Sequence, residues 1–188
     1  MSDSQKPLLS LAAGYHLRAR PLCDGRVKLK NFELKAKPFE NDGEGHEEFL
    51  AGKYDTGEFS LANYCALKSR GKPYMAIPVF PNRKFRHSYI FVPENSSLKE
   101  AAQLKGKKVG IPSWLNTCGL WVRGILSDEY GVKANDIHWV MPRPNKMDLS
   151  LPAGTRLDVA PSERSLAARM LEGEFDAIIV PDFPEEKG

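Results

Sequence analysis

The chain has 188 residues, 41% apolar and 27% charged, the profile of an ordinary globular protein with enough length for one domain or two small ones. Its 27 Lys and Arg against 24 Asp and Glu leave a net charge of only +3, too weak to argue for nucleic acid. No apolar run approaches the roughly 20 residues needed to span a bilayer, and the polar start carries no apolar leader core. A cytoplasmic protein with neither membrane nor nucleic-acid partners is therefore expected. The three cysteines, Cys23, Cys65 and Cys118, lie far apart and form no C-x-x-C, so neither zinc site nor disulfide framework is indicated.

Leu8 to Ala13 reads as a first strand, with Tyr15 and His16 in the loop after it and a short helix to about Leu22. Phe32, Leu34 and Ala36 alternate with charged residues, the period of a second strand within Val27 to Ala36. Asn41 to Gly45 is rich in turn residues and predicts a loop, with a brief helix over Glu47 to Gly52 and the tip of a third strand at Tyr54 and Asp55. Helical spacing of Leu61, Tyr64, Cys65 and Leu67 predicts a helix over Ser60 to Arg70, stopped by Gly71. Met75 to Phe80 and Ser88 to Val92 read as strands that follow one another without a helix.

Ser96 and Ser97 cap a predicted helix over Leu98 to Leu104. A strand at Lys107 to Ile111 leads to a helix over Thr117 to Tyr130, ended by Gly131. Strands follow at Asp136 to Met141 and Arg156 to Val159, then a helix over Glu163 to Leu171 and a last strand over Phe175 to Val180. Alternating strands and helices predict mainly parallel sheets with covered faces.

Several ordered motifs are familiar. Ala76 to Ser88, Leu104 to Pro112, Leu120 to Leu126 with Asp128 to Gly131, and Asp136 to Val140 carry the resemblance. Asp55, Glu58 and Ser60, and the run Gly173 to Ala177, complete it. Together they resemble the 4,5-dihydroxyphthalate decarboxylase family over nearly the whole chain. The resemblance implies an α/β type 2 periplasmic-binding-protein-like fold of two lobes with a ligand cleft between them. Residues 1–85 are expected to form the first lobe, 86–180 the second, and 181–188 the start of a return crossover. Family members continue past this point, so the first lobe is expected to be incomplete, open at a sheet edge, and covered in a homo-oligomer if the chain is whole. His16 departs from the family, which usually has an acidic residue after the tyrosine.

Ligands of open α/β sheets bind beyond the carboxyl ends of the strands. The candidate contacts are accordingly Tyr15, His16, Asp55, Ser60, Arg83, Arg86, Trp114, Asn116 and Thr117, with His87 and Glu58 as catalytic candidates. Arg83 and Arg86 suit carboxylates. The helix start at Thr117 offers backbone N–H groups and the positive end of a dipole. Cys118 beside it is read either as a thiol of lowered pKa or as a packing residue. Trp114 is read either as a stacking platform or as core, and Arg123 as facing either way. The function the resemblance implies is cofactor-independent decarboxylation of a small anionic aromatic, with His87 protonating the ring carbon. A divalent ion held by Asp55, Glu58 and His87 is the metal alternative, which no ligand spacing demands. A non-catalytic binding or sensor protein for an anionic ligand is the other reading, and a thiamine-pyrimidine-synthase-like role a third that no motif requires.

Overall fold

The computed structural model describes residues 6–39, 42–145, 147 and 150–183. The chain divides into two compact units: Met1–Ser60 with Gly71–Arg83, and Leu61–Arg70 with Lys84–Gly188. Among the described residues no helix is long and apolar enough to cross a membrane.

The first unit is built on a three-stranded sheet in the order β2-β1-β3. Strand β1 (Leu8–Gly14) lies parallel to both β2 (Glu33–Phe39) and β3 (Thr56–Gly57). Helix α1 (Arg20–Cys23) follows β1, and α2 (Asp42–Leu50) follows β2. The predicted loop at Asn41 to Gly45 is corrected here: Asp42–Gly45 are helical, while Asn41 lies outside the described residues.

A second correction concerns Met75 to Phe80, which forms no strand. Among the described residues no neighbouring segment supplies it with ladder partners, and Val79 instead donates its N–H to the Ile77 carbonyl at 2.7 Å. Met75 (90% exposed), Ile77, Val79 and Phe80 turn their apolar side chains to solvent. The alternation of Met75, Ile77 and Val79 suits a strand, yet a strand also needs a neighbour to accept its backbone bonds.

The second unit carries a five-stranded sheet ordered β4-β8-β5-β6-β7. Its strands are β4 (Ile90–Phe91), β5 (Lys108–Gly110), β6 (His138–Met141), β7 (Arg156–Val159) and β8 (Ala177–Ile179). All pairings are parallel except β4 with β8. Helices α3 (Leu61–Ser69), α4 (Thr117–Tyr130) and α5 (Leu166–Leu171) complete the unit. The helix predicted over Leu98 to Leu104 shrinks to a 3-10 turn at Ala101–Leu104, with the Glu100 and Gln103 side chains bonding each other's backbone.

Helix α4 sits where its sequence places it. The Asn116 Oδ1 accepts the Gly119 N–H at 3.2 Å, and Gly131 ends the helix at φ 62°, a left-handed conformation that favours glycine. Its buried face of Cys118, Val122 and Leu126 packs on Val109, Ile111, Ile137 and Trp139. Each fully buried aliphatic side chain of such a cluster contributes about 1.5–3 kcal/mol. Gly110 of β5 admits the Phe175 ring, which would stand 2.9 Å from any Cβ at that position.

Candidate functional site

In the first unit the carboxyl ends of β1 and β3 lie side by side, because the strands are parallel and Leu11 and Ala12 pair with Thr56 and Gly57. That register carries Glu58 to the loop after Gly14. The His16 Nε2 lies 2.8 Å from the Glu58 Oε2, and the Gly14 N–H donates to the same oxygen at 3.3 Å. The Glu58 N–H is itself tied to the Ala12 carbonyl at 2.8 Å, which fixes the carboxylate's starting point. The other ring nitrogen, Nδ1, is buried and without a hydrogen-bond partner among the described residues. Tyr15 is half exposed beside this pair, with the Arg20 guanidinium 4.8 Å from its ring centroid. Ser60 follows Phe59, whose ring lies against His46 and Phe49.

Asp55 is placed elsewhere. Its Oδ2 accepts the Ser10 N–H at 2.8 Å and the Ser10 hydroxyl at 2.6 Å, and its own N–H donates back to that hydroxyl. These bonds hold its carboxyl below the usual range. Asp55 thus locks the amino end of β3 to the middle of β1, while Glu58 stands at the carboxyl end. Arg83 is exposed and donates to the Phe80 carbonyl, a local bond.

In the second unit the groups gather at the start of α4. The Thr117 Oγ1 accepts the Ala62 N–H at 3.4 Å, and the Asn145 Oδ1, beyond β6, accepts the Trp114 N–H at 3.0 Å. Arg86 donates to the Pro181 carbonyl at 3.5 Å and also interacts with the Cys118 thiol. Burial pushes that thiol's pKa up, with the Arg86 charge working against it, so the packing reading of Cys118 holds and the lowered pKa is corrected. Trp114 is buried at 7% exposure, its ring edge-on to Trp139, so it is core and not a platform open to a ligand.

His87 lies at the other end of the same helix. Its Nε2 is 3.3 Å from the Glu129 Oε1. Twelve residues of helix separate Glu129 from Thr117, about 18 Å at 1.5 Å per residue. The cavity it lines with Arg86, Ile90, Val122 and Tyr130 holds about 40 Å³, too little for an aromatic dicarboxylate. The sequence set Arg86 and His87 together at the crossover. Both line that cavity, while the Arg86 guanidinium reaches the Pro181 carbonyl and the Cys118 thiol and the His87 ring faces Glu129. A larger cavity of about 240 Å³, lined by Leu166, Ile178, Val180 and Phe183, is mostly apolar, with Asp182 as its charged residue. Among the described residues no three His, Cys, Asp or Glu side chains gather as a metal would require.

Sequence reasoning missed the Gly14 N–H and Arg20, which lie just before and after the residues it chose. It left Arg123 undecided. The structure turns that side chain inward, 8% exposed, with its Nη2 donating to the Trp114 carbonyl at 2.7 Å. The guanidinium lies 3.9 Å from the Trp114 ring centroid.

Parallel α/β units with candidate ligand groups beyond the carboxyl ends of their strands are the architecture of the substrate-binding-protein-like class. A family model described as "ABC transporter, phosphonate, periplasmic substrate-binding protein" matches residues 28–185. Over 183 residues the chain is 38% identical to a 4,5-dihydroxyphthalate decarboxylase of Comamonas testosteroni, covering 94% of this chain and 56% of that protein. It is 36% identical over the same length to a 4,5-dihydroxyphthalate decarboxylase of Pseudomonas putida, covering 71% of it. The chain belongs to the periplasmic-binding-protein-like family of the 4,5-dihydroxyphthalate decarboxylases. Among solved structures, the periplasmic aliphatic sulphonate binding protein of Escherichia coli superposes with a TM-score of 0.56 at 20% identity, covering 93% of this chain and 54% of that one. That likeness bears out the two-lobe class of fold expected from the sequence. The chain spans about half the length of that structure and of the Comamonas relative.

Proposed function

We propose that the protein removes carbon dioxide from a hydroxylated aromatic dicarboxylate such as 4,5-dihydroxyphthalate, without an organic cofactor. The observation that carries this reading is the His16–Glu58 pair, 2.8 Å apart at the carboxyl ends of adjacent parallel strands. Support comes from two relatives that bear the decarboxylase name. A ring hydroxyl para to a carboxylate, once deprotonated, pushes electrons to the carbon that bears that carboxylate. A general acid delivers a proton there, the carbon–carbon bond breaks, carbon dioxide leaves, and the ring regains aromaticity. His16 in its protonated form is the acid of this reading, and Glu58 orients its ring. Arg86 and the start of α4, in the second unit, are by their chemistry candidates for holding a carboxylate.

The test is carbon dioxide release from 4,5-dihydroxyphthalate, with and without added divalent metal and a chelator. His16→Gln is expected to lose about 100-fold or more in kcat, the scale of a general acid. His87→Gln should keep most of the wild-type rate. A collapse in His87→Gln with His16→Gln intact would return the acid role to His87.

The second reading is a binding protein that captures the anion and returns it unchanged. The start of α4 favours it equally, since a helix start holds a phosphonate, sulphonate or carboxylate alike. Saturable binding with intact ligand recovered would select it.

A further inference from the structure

The cavity of about 240 Å³ in the second unit contains none of the groups assigned to the decarboxylase reading. It opens beyond the carboxyl end of β8, where ligands of parallel α/β sheets bind. Ile178 and Val180 wall it from the strand, and Leu166 and Ala167 from α5. Phe183 adds an aromatic wall. Its ring lies 5.7 Å from the Phe91 centroid and 6.3 Å from that of Tyr89, which positions it although the residue is 73% exposed. Such walls favour a ligand that is itself mostly apolar. The volume is just under the roughly 300–1,000 Å³ of pockets for drug-sized ligands, which suits a single substituted ring.

Two polar side chains stand among these walls, Ser165 and Asp182. The Ser165 Oγ accepts the Ala168 N–H at 3.1 Å, which fixes the oxygen and leaves the hydroxyl hydrogen to donate. The Lys84 ammonium donates to the Asp182 Oδ1 and to the Pro181 carbonyl, which leaves the Asp182 Oδ2 to accept. A ligand hydroxyl answers both groups, since it donates to a carboxylate and accepts from a serine. A phenol, with its acidic O–H, is the better donor to a carboxylate. An aromatic acid fits worse: no lining residue is cationic, and its carboxylate would stand near that of Asp182.

We propose that this cavity is a binding site for a neutral one-ring phenol. The ring lies against Leu166, Val180 and Phe183, and the hydroxyl meets Asp182 and Ser165. The ligand differs in charge from the dicarboxylate of the decarboxylase reading, and the site stands independently of that reading.

The experiment is a titration of the full chain with phenol, and separately with benzoate, followed by the methyl resonances of Ala167, Ile178 and Val180. Phenol is expected to shift these resonances saturably, and benzoate to leave them in place at the same concentrations. Asp182→Ala, at an exposed position, should bind phenol about tenfold or more weaker, the worth of a hydrogen bond to a charged acceptor. Lys84→Gln breaks the same ion pair but keeps the acceptor, so it should bind phenol as wild type does. Ala167→Leu, shown folded by circular dichroism, should fill the cavity and abolish the shifts. Resonances that ignore phenol overturn the proposal, as does a response to benzoate equal to that to phenol. Equal losses in Asp182→Ala and Lys84→Gln overturn it too, because they would mark the ion pair and not the acceptor. Shifts that follow protein concentration and not phenol would mark a contact between copies of the chain and overturn it as well.

Discussion

Glu48 on α2 gathers three partners: the Lys37 and Lys53 ammonium groups at 3.0 and 3.1 Å, and the Tyr54 hydroxyl at 3.0 Å. It ties α2 to β2 and to the approach of β3. The Lys37 bond leads the causes that lower its carboxyl from 4.5 to about 2. The sign of the linkage follows. A carboxyl whose folded pKa is depressed stabilises the fold fully above its unfolded value, and the contribution is lost as pH falls toward the folded one. The window runs from 4.5 down to about 2. Glu48→Gln should therefore be less stable than wild type at pH 6, and the gap should close by pH about 2. Urea denaturation followed by circular dichroism at several pH values between those limits reads the difference, and parallel curves would remove Glu48 as a stabilising group. Asp55 is the weaker ligand candidate because its Oδ2 is engaged by the Ser10 N–H and hydroxyl, a structural lock that motif spacing could not separate from a binding role.

Helix α4 shows why one element can be read completely and its neighbours only in part. Asn116, the apolar stripe of Cys118, Val122 and Leu126, and Gly131 all agree on one helix, so start, face and end were legible together. Asn116→Ala is expected to cost about 1 kcal/mol by removing the side-chain acceptor for the Gly119 N–H. Gly131→Ala should cost a similar amount, about 1 kcal/mol, because alanine resists the left-handed conformation. Thermal unfolding of the two variants tests this, and an unchanged Tm in both would mean that neither end limits the helix. The site was less legible. His16 and Glu58 were both chosen, yet nothing in their spacing of 42 positions said that they touch; the parallel register of β1 and β3 decides that. His87 and Arg86 were adjacent in sequence and so were taken together. Their polar groups take different partners, the Pro181 carbonyl and the Glu129 carboxylate, which motifs do not show. Arg123 looked ambiguous because a cation in an apolar face is rare, and its enclosure by tryptophans from two other elements appears only in three dimensions.

At the scale of the molecule, the two units differ in what holds each together. The second owns both hydrophobic clusters, from Val109, Ile111 and Trp139 around α4 to Val140, Phe175 and Ile178 beside α5. Among the described residues the first buries Ala12, Ala13, Ala19 and Phe39, three of them alanines that bring little apolar area. Of its larger apolar residues, Met75, Ile77, Val79 and Phe80 face solvent. Hydrophobic burial is the main term offsetting conformational entropy, so the first unit has the smaller reserve of stability. Native-state hydrogen exchange should show it. Amides of β1 in the first unit are expected to exchange at lower opening free energy than those of β5 and β6 in the second, and amides of 72–80 fastest of all. Each 1.4 kcal/mol of difference is about a tenfold change in protection. Equal protection of β1 and β5 would mean that polar locks such as Glu48 and the Ser10–Asp55 bonds stabilise the first unit as strongly as the aromatic core stabilises the second.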